Sequence, residues 1–178
     1  MDSLFNRYAL AFLALAIEKD KVSEYREEIK SLYEITKENP ELVKFLSTTN
    51  IDSDEKKKFI DKNFVSYSSD TIDYLKVILD NNRCFYLKKI LNETLFRFDD
   101  QLDIERGTIY STVNLTIEDV NKIKDVLEKN IHKKLELKTK IDESLIGGVR
   151  VVLKDDIYDF TIKDRLVSLK ETLLKGGE

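Results

Sequence analysis

The sequence predicts an α+β fold, in which an amino-terminal six-helix bundle over residues 1–106 precedes a small β-α-β-β-α domain over residues 107–178. Apolar residues recur at helical spacing as far as Leu102, whereas after Gly107 the spacing shortens to two and β-branched residues take over. A length of 178 residues suits one large domain or two small ones.

The first helix runs to Glu18 with Ser3 as its cap, and a second follows on Val22, Tyr25, Ile29, Leu32 and Tyr33. Pro40, the sole proline, opens a short third helix over Glu41–Leu46, where its missing N–H is harmless. Asp52 followed by Glu55 has the form of a capping box for a fourth helix carrying Phe59, Ile60, Phe64 and Val65. Ser69 caps a fifth, built on Ile72, Leu75, Ile78 and Leu79. The sixth uses Leu87, Ile90, Leu91, Leu95, Phe98 and Leu102, and Gly107 is expected to stop it.

Alternation of Ile109, Ser111, Val113 and Leu115 then predicts a strand. Thr116 caps a helix with its stripe on Val120, Ile123, Leu127 and Ile131, and Leu135 to Ile141 alternates again. Gly147-Gly148 reads as a bend into a strand, Val149–Leu153. A turn at Asp155-Asp156 leads to Ile157–Thr161, and a last helix uses Ile162, Leu166, Leu169 and Leu173.

Several function classes lose their footing on composition. A net charge of -4 provides no basic field for a nucleic-acid backbone. One cysteine, Cys84, and one histidine, His132, leave no disulfide framework and no multi-thiolate or multi-histidine metal site. Phosphate-loop, dinucleotide and zinc-protease motifs are missing. The adjacent carboxylates Glu27-Glu28, Asp99-Asp100 and Asp155-Asp156 point apart on regular elements and read as solvated faces. No catalytic residue, cofactor or metal is therefore expected. The longest apolar run, Tyr8 to Ile17, is ten residues, against roughly 20 for a membrane span. Charged residues rather than a cleavage pattern follow it, so a cytoplasmic chain is expected.

The first helix poses a surface problem. Phe5, Ala9, Phe12 and Ala16 form one line, Leu4, Tyr8, Ala11 and Leu15 a second, and Leu10, Leu13 and Ile17 a third, so the helix is apolar nearly all round. In the fifth helix Tyr74, Val77 and Ile78 spill beyond the core line. Either the first helix is the covered centre of its bundle, or a groove between the first and fifth helices seats a partner's amphipathic helix. The groove would be floored by alanine, Ala11 included, and walled by Tyr8, Leu15, Tyr74 and Val77, with Ile78 beside them.

Four short segments in order, Arg7-Tyr8-Ala9, Leu79-Asp-Asn-Asn-Arg83, Ser144-Leu-Ile-Gly-Gly-Val149 and Asp159-Phe-Thr161, make the chain resemble the delta subunit, or oligomycin-sensitivity-conferring protein, family of F-type ATP synthases. The resemblance spans nearly the whole chain. Glu143, Phe160 and Thr161 depart from the proline, glycine and serine usual there, which bears on local turns.

The resemblance implies a non-catalytic stator component that links the catalytic head to the peripheral stalk and resists rotational torque. It implies that the groove takes the amino-terminal helix of the alpha subunit, with Tyr8, Ala11 and Val77 at matching positions, and that the second domain meets the carboxy-terminal end of the b subunit. The expected location is the cytoplasmic face of a bacterial plasma membrane, peripheral through partner subunits. A generic helical peptide-binding or regulatory module outside the synthase, or an enzyme built on scattered carboxylates, is the alternative.

Overall fold

The computed structural model describes residues 4–154 and 156–162. It is a mixed fold of helices and one sheet, divided into two compact units, Met1–Leu102 and Asp103–Glu178. The predicted cap Ser3, the Asp155 turn position and the helix residues Leu166, Leu169 and Leu173 lie outside the described residues.

In the first unit, α1 (Leu4–Glu18), α2 (Val22–Glu38), α3 (Pro40–Ser47), α4 (Ser53–Asn63), α5 (Ser69–Asp80) and α6 (Leu87–Gln101) precede the first strand, with a 3-10 turn at Cys84–Tyr86. Pro40 occupies the first turn of α3, where it removes no helical bond. Asp52 caps α4 by accepting from the Ser53 N–H. The cap of α5 is Ser68, not Ser69: its hydroxyl accepts from the Thr71 N–H.

The core of this unit joins Phe12, Leu13 and Ala16 of α1 to Tyr25, Ile29 and Leu32 of α2, Leu75 and Leu79 of α5, and Ile90, Leu91, Leu95 and Phe98 of α6. An ion pair is buried among them. Arg26 of α2 donates through Nε to Asp99 of α6 at 2.7 Å, and the two side chains are 5% and 4% exposed.

The second unit contains β1 (Ile104–Ser111), α7 (Ile117–Ile131), β2 (Lys134–Ile141), β3 (Val149–Val152) and β4 (Ile157–Asp159). Strand order is β2-β1-β3-β4. The β1-α7-β2 crossover makes the first pair parallel, and the other two pairs are antiparallel. Thr116 and Asp119 form a reciprocal capping box on α7, and His132 ends the helix in the left-handed region. Leu127 meets Ile109, Leu135, Val151 and Leu153 in the core.

Gly107 does not end α6. The helix stops at Gln101, Asp103 takes the left-handed conformation with φ 51°, and Gly107 lies within β1. A Cβ there would sit 2.4 Å from the Leu153 side chain and 2.9 Å from the Val152 carbonyl, so close strand packing, not chain reversal, requires glycine. Strand β1 accordingly starts earlier than predicted and ends at Ser111, leaving Val113 exposed in the loop. The Gly147-Gly148 bend matches its predicted role. Gly148 has φ +77°, and a Cβ on it would lie 2.4 Å from the Phe160 carbonyl.

The Arg26–Asp99 pair predicts a strong asymmetry. Asp99→Ala removes the buried carboxylate from a guanidinium whose Nη1 still pairs with Glu27, and should destabilise the helical unit by about 3–5 kcal/mol. Urea unfolding followed by far-UV circular dichroism measures it; a loss under about 1 kcal/mol would show that the pair does not hold α2 to α6.

Candidate functional site

Helices α1 and α5 lie antiparallel within the first unit. Lys19, just past the end of α1, donates to both oxygens of Asp70 in the first turn of α5, at 2.7 and 2.6 Å. At the opposite end Leu4 and Arg7 of α1 share a depression with Val77 of α5, the C-cap residue Asn81, and Arg83 beyond it. Between these ends the Phe12 and Tyr74 rings stack with centroids 4.4 Å apart and planes 15° apart.

The Lys19 end is closed by a charge cluster. The Tyr25 hydroxyl also donates to Asp70. Hydrogen bonds from Lys19 and Tyr25 hold the Asp70 carboxyl below the usual carboxylate range, against a smaller opposing effect of burial. Burial and the Asp70 carboxylate push the Tyr25 hydroxyl up to about 12. One turn along, Glu28 of α2 accepts from the Ser68 N–H at 2.8 Å, the Ser68 hydroxyl at 2.7 Å and the Thr71 hydroxyl. A carboxylate at the amino-terminal end of α5 also complements the helix dipole.

The open end is an apolar trough of about 430 Å³ lined by Leu4, Arg7, Tyr8, Ala11, Val77, Asn81 and Arg83. Ala11 is small, so no side chain of α1 fills the space before Val77, which remains 49% exposed. The far flank of α1 is also uncovered, with Leu10 43% and Ile17 51% exposed. Helix α1 is therefore not the wholly covered centre of its unit.

Three of the six residues predicted for the groove, Tyr8, Ala11 and Val77, line this trough. Leu15 sits one turn beyond Ala11 and is half-buried against the core. Tyr74 and Ile78 are not available as walls: they are 7% and 0% exposed. Tyr74 turns inward because its hydroxyl finds a buried partner, Thr94, at 2.7 Å, while Thr94 donates to the Ile90 carbonyl. Burial raises the Tyr74 hydroxyl well above its ordinary range. Leu4, Arg7, Asn81 and Arg83 lie outside the predicted set, although Leu4 and Asn81 are each one helical turn from a predicted residue, Tyr8 and Val77 respectively.

Among the described residues no cluster of three or more His, Cys, Asp or Glu side chains could hold a metal ion, and no helix is long and apolar enough to cross a membrane. Cys84 is buried, which pushes its thiol up to about 11 and keeps it protonated.

Residues 4–173 match the protein-family model for the ATP synthase delta (OSCP) subunit. The chain belongs to that family. Relatives include ATP synthase subunit delta of Clostridium perfringens, 34% identical over 97% of each chain, and that of Mycoplasma mobile, 33% identical over 94% of each chain. A chain in the structure of the Toxoplasma gondii mitochondrial ATP synthase hexamer has the same fold as this chain, at TM-score 0.72, with 18% identity and coverage of 97% of this chain and 98% of that one.

Within this delta-family chain, two residues one turn apart on α5 have opposite duties. Tyr74→Ala should cost about 3–5 kcal/mol, as expected for removal of a buried aromatic ring. Val77→Asp should cost less than about 1 kcal/mol, because the side chain is half exposed and the new carboxylate opposes the dipole only in the last turn of α5. Thermal unfolding of the two variants checks the contrast, and equal losses would contradict it.

Proposed function

We infer that this subunit is a non-catalytic stator component of an F-type ATP synthase, linking the catalytic head to the peripheral stalk and resisting torque. The observation that carries this reading is the apolar trough between α1 and α5, present in a chain of the delta family. Its dimensions and lining suit the apolar face of one amphipathic helix.

The occupant is the amino-terminal helix of the alpha subunit, seated on the six-helix bundle formed by α1 to α6. Tyr8, Ala11 and Val77 make direct contact. Leu15 extends the apolar floor, and the buried Tyr74 and Ile78 support it from beneath. The second unit meets the carboxy-terminal end of the b subunit. The protein works at the cytoplasmic face of a bacterial plasma membrane, held there through its partners.

Torque transmission demands affinity and stiffness, not chemistry. An interface of standard size buries about 800 Å² per partner, and central apolar anchors dominate its energy. The pinned amino-terminal end of α5 and the Phe12–Tyr74 stack hold the trough open before the partner arrives. Less ordering free energy is then lost on binding.

A synthetic peptide of the alpha-subunit amino-terminal helix, titrated calorimetrically into the full chain, tests this reading. Val77→Asp and Ala11→Asp should each weaken binding by at least about 30-fold while the unfolding midpoint stays in place. Unchanged affinity in both variants would remove the trough as the binding site.

A further inference from the structure

The trough is apolar in its walls but not neutral at its end. Arg7 and Arg83 both line it, come from different segments, and are exposed to solvent. No carboxylate of the described residues forms an ion pair with either. At this end of α5 Asp80 pairs with Lys57 at 2.6 Å, while Asp70, at the far end of the helix, pairs with Lys19 at the same distance. Asp73 lies 3.9 Å from Lys76. The open end therefore presents two guanidinium groups beside an apolar floor, and among the described residues no carboxylate pairs with them.

We propose that the helix seated in the trough carries a carboxylate side chain that binds between Arg7 and Arg83, about one helical turn from the apolar residue that packs on Ala11 and Val77. This rests on the helix-binding reading above and specifies the partner's chemistry. The spacing follows from the lining: Arg7 precedes Ala11 by one turn of α1, and Arg83 lies beyond Asn81, itself one turn past Val77. Guanidinium is the suitable cation here. Its planar fork meets a carboxylate with two parallel hydrogen bonds, and it is desolvated more readily than an ammonium group.

Apolar contacts alone tolerate sliding of one helix along another by a turn. A charge fixed at one end of the trough removes that freedom, since a slipped helix would place its carboxylate over Val77 and leave the arginines unpaired. The ion pair thus sets register and direction, while the apolar anchors supply most of the affinity.

The experiment uses the full chain and the alpha-subunit amino-terminal peptide, with dissociation constants measured calorimetrically at low and high salt. Arg7→Glu and Arg83→Glu should each weaken binding by about 10-fold at low salt, with a smaller effect at high salt. A peptide with one acidic residue replaced by lysine should bind the charge-reversed chain better than it binds the native chain. If Arg7→Glu and Arg83→Glu leave affinity and salt dependence unchanged while Val77→Asp still abolishes binding, the carboxylate proposal is overturned and the groove stands. If Val77→Asp also has no effect, the groove reading fails with it.

Discussion

Helix α1 carries apolar side chains around nearly its whole circumference, and the neighbours it has can cover only part of them. Ala9, Phe12, Leu13 and Ala16 face the core, whereas Leu10, Ala11, Ala14 and Ile17 remain in contact with water. Fully burying a leucine or isoleucine is worth about 1.5–3 kcal/mol, so leaving Leu10 and Ile17 half exposed forgoes part of that stability. Such an arrangement is explicable when another chain completes the burial.

The unfilled space persists because the surrounding contacts do not let the helices close over it. The Phe12 and Tyr74 rings set the separation of α1 and α5 from inside. Asp70 ties the start of α5 to Lys19 and Tyr25, and Glu28 ties it to α2. On the other side of α2, the Arg26–Asp99 pair fixes its position against α6. Polar contacts of this kind add little net stability, but they are directional, and direction is what keeps the helices from closing over the trough.

Periodicity made the mixed helix-and-sheet character legible, together with most helix positions and the surplus of apolar surface on α1. It could not say which flank of α5 turns inward. Tyr74, Val77 and Asn81 follow one side of that helix, yet Tyr74 is drawn into the core by Phe12 and Thr94, both distant in sequence. Strand β1 was hidden for a related reason. Glu105, Arg106 and Gly107 interrupt its alternation, and their acceptance in a strand depends on tertiary pairing: Arg106 is registered opposite Glu136, and Gly107 lies under Leu153. The guanidinium pair at the trough was equally invisible as a pair, since only folding brings Arg7 and Arg83 to one end.

Methyl-resolved nuclear magnetic resonance of the full chain, titrated with the alpha-subunit peptide, addresses the partition of α1's surface most directly. The account predicts that the methyl signals of Ala11, Leu15 and Val77 move together and saturably, while those of Ile109 and Val151 in the sheet stay fixed. Perturbation confined to the sheet, or a Val77 signal that never moves, would contradict it.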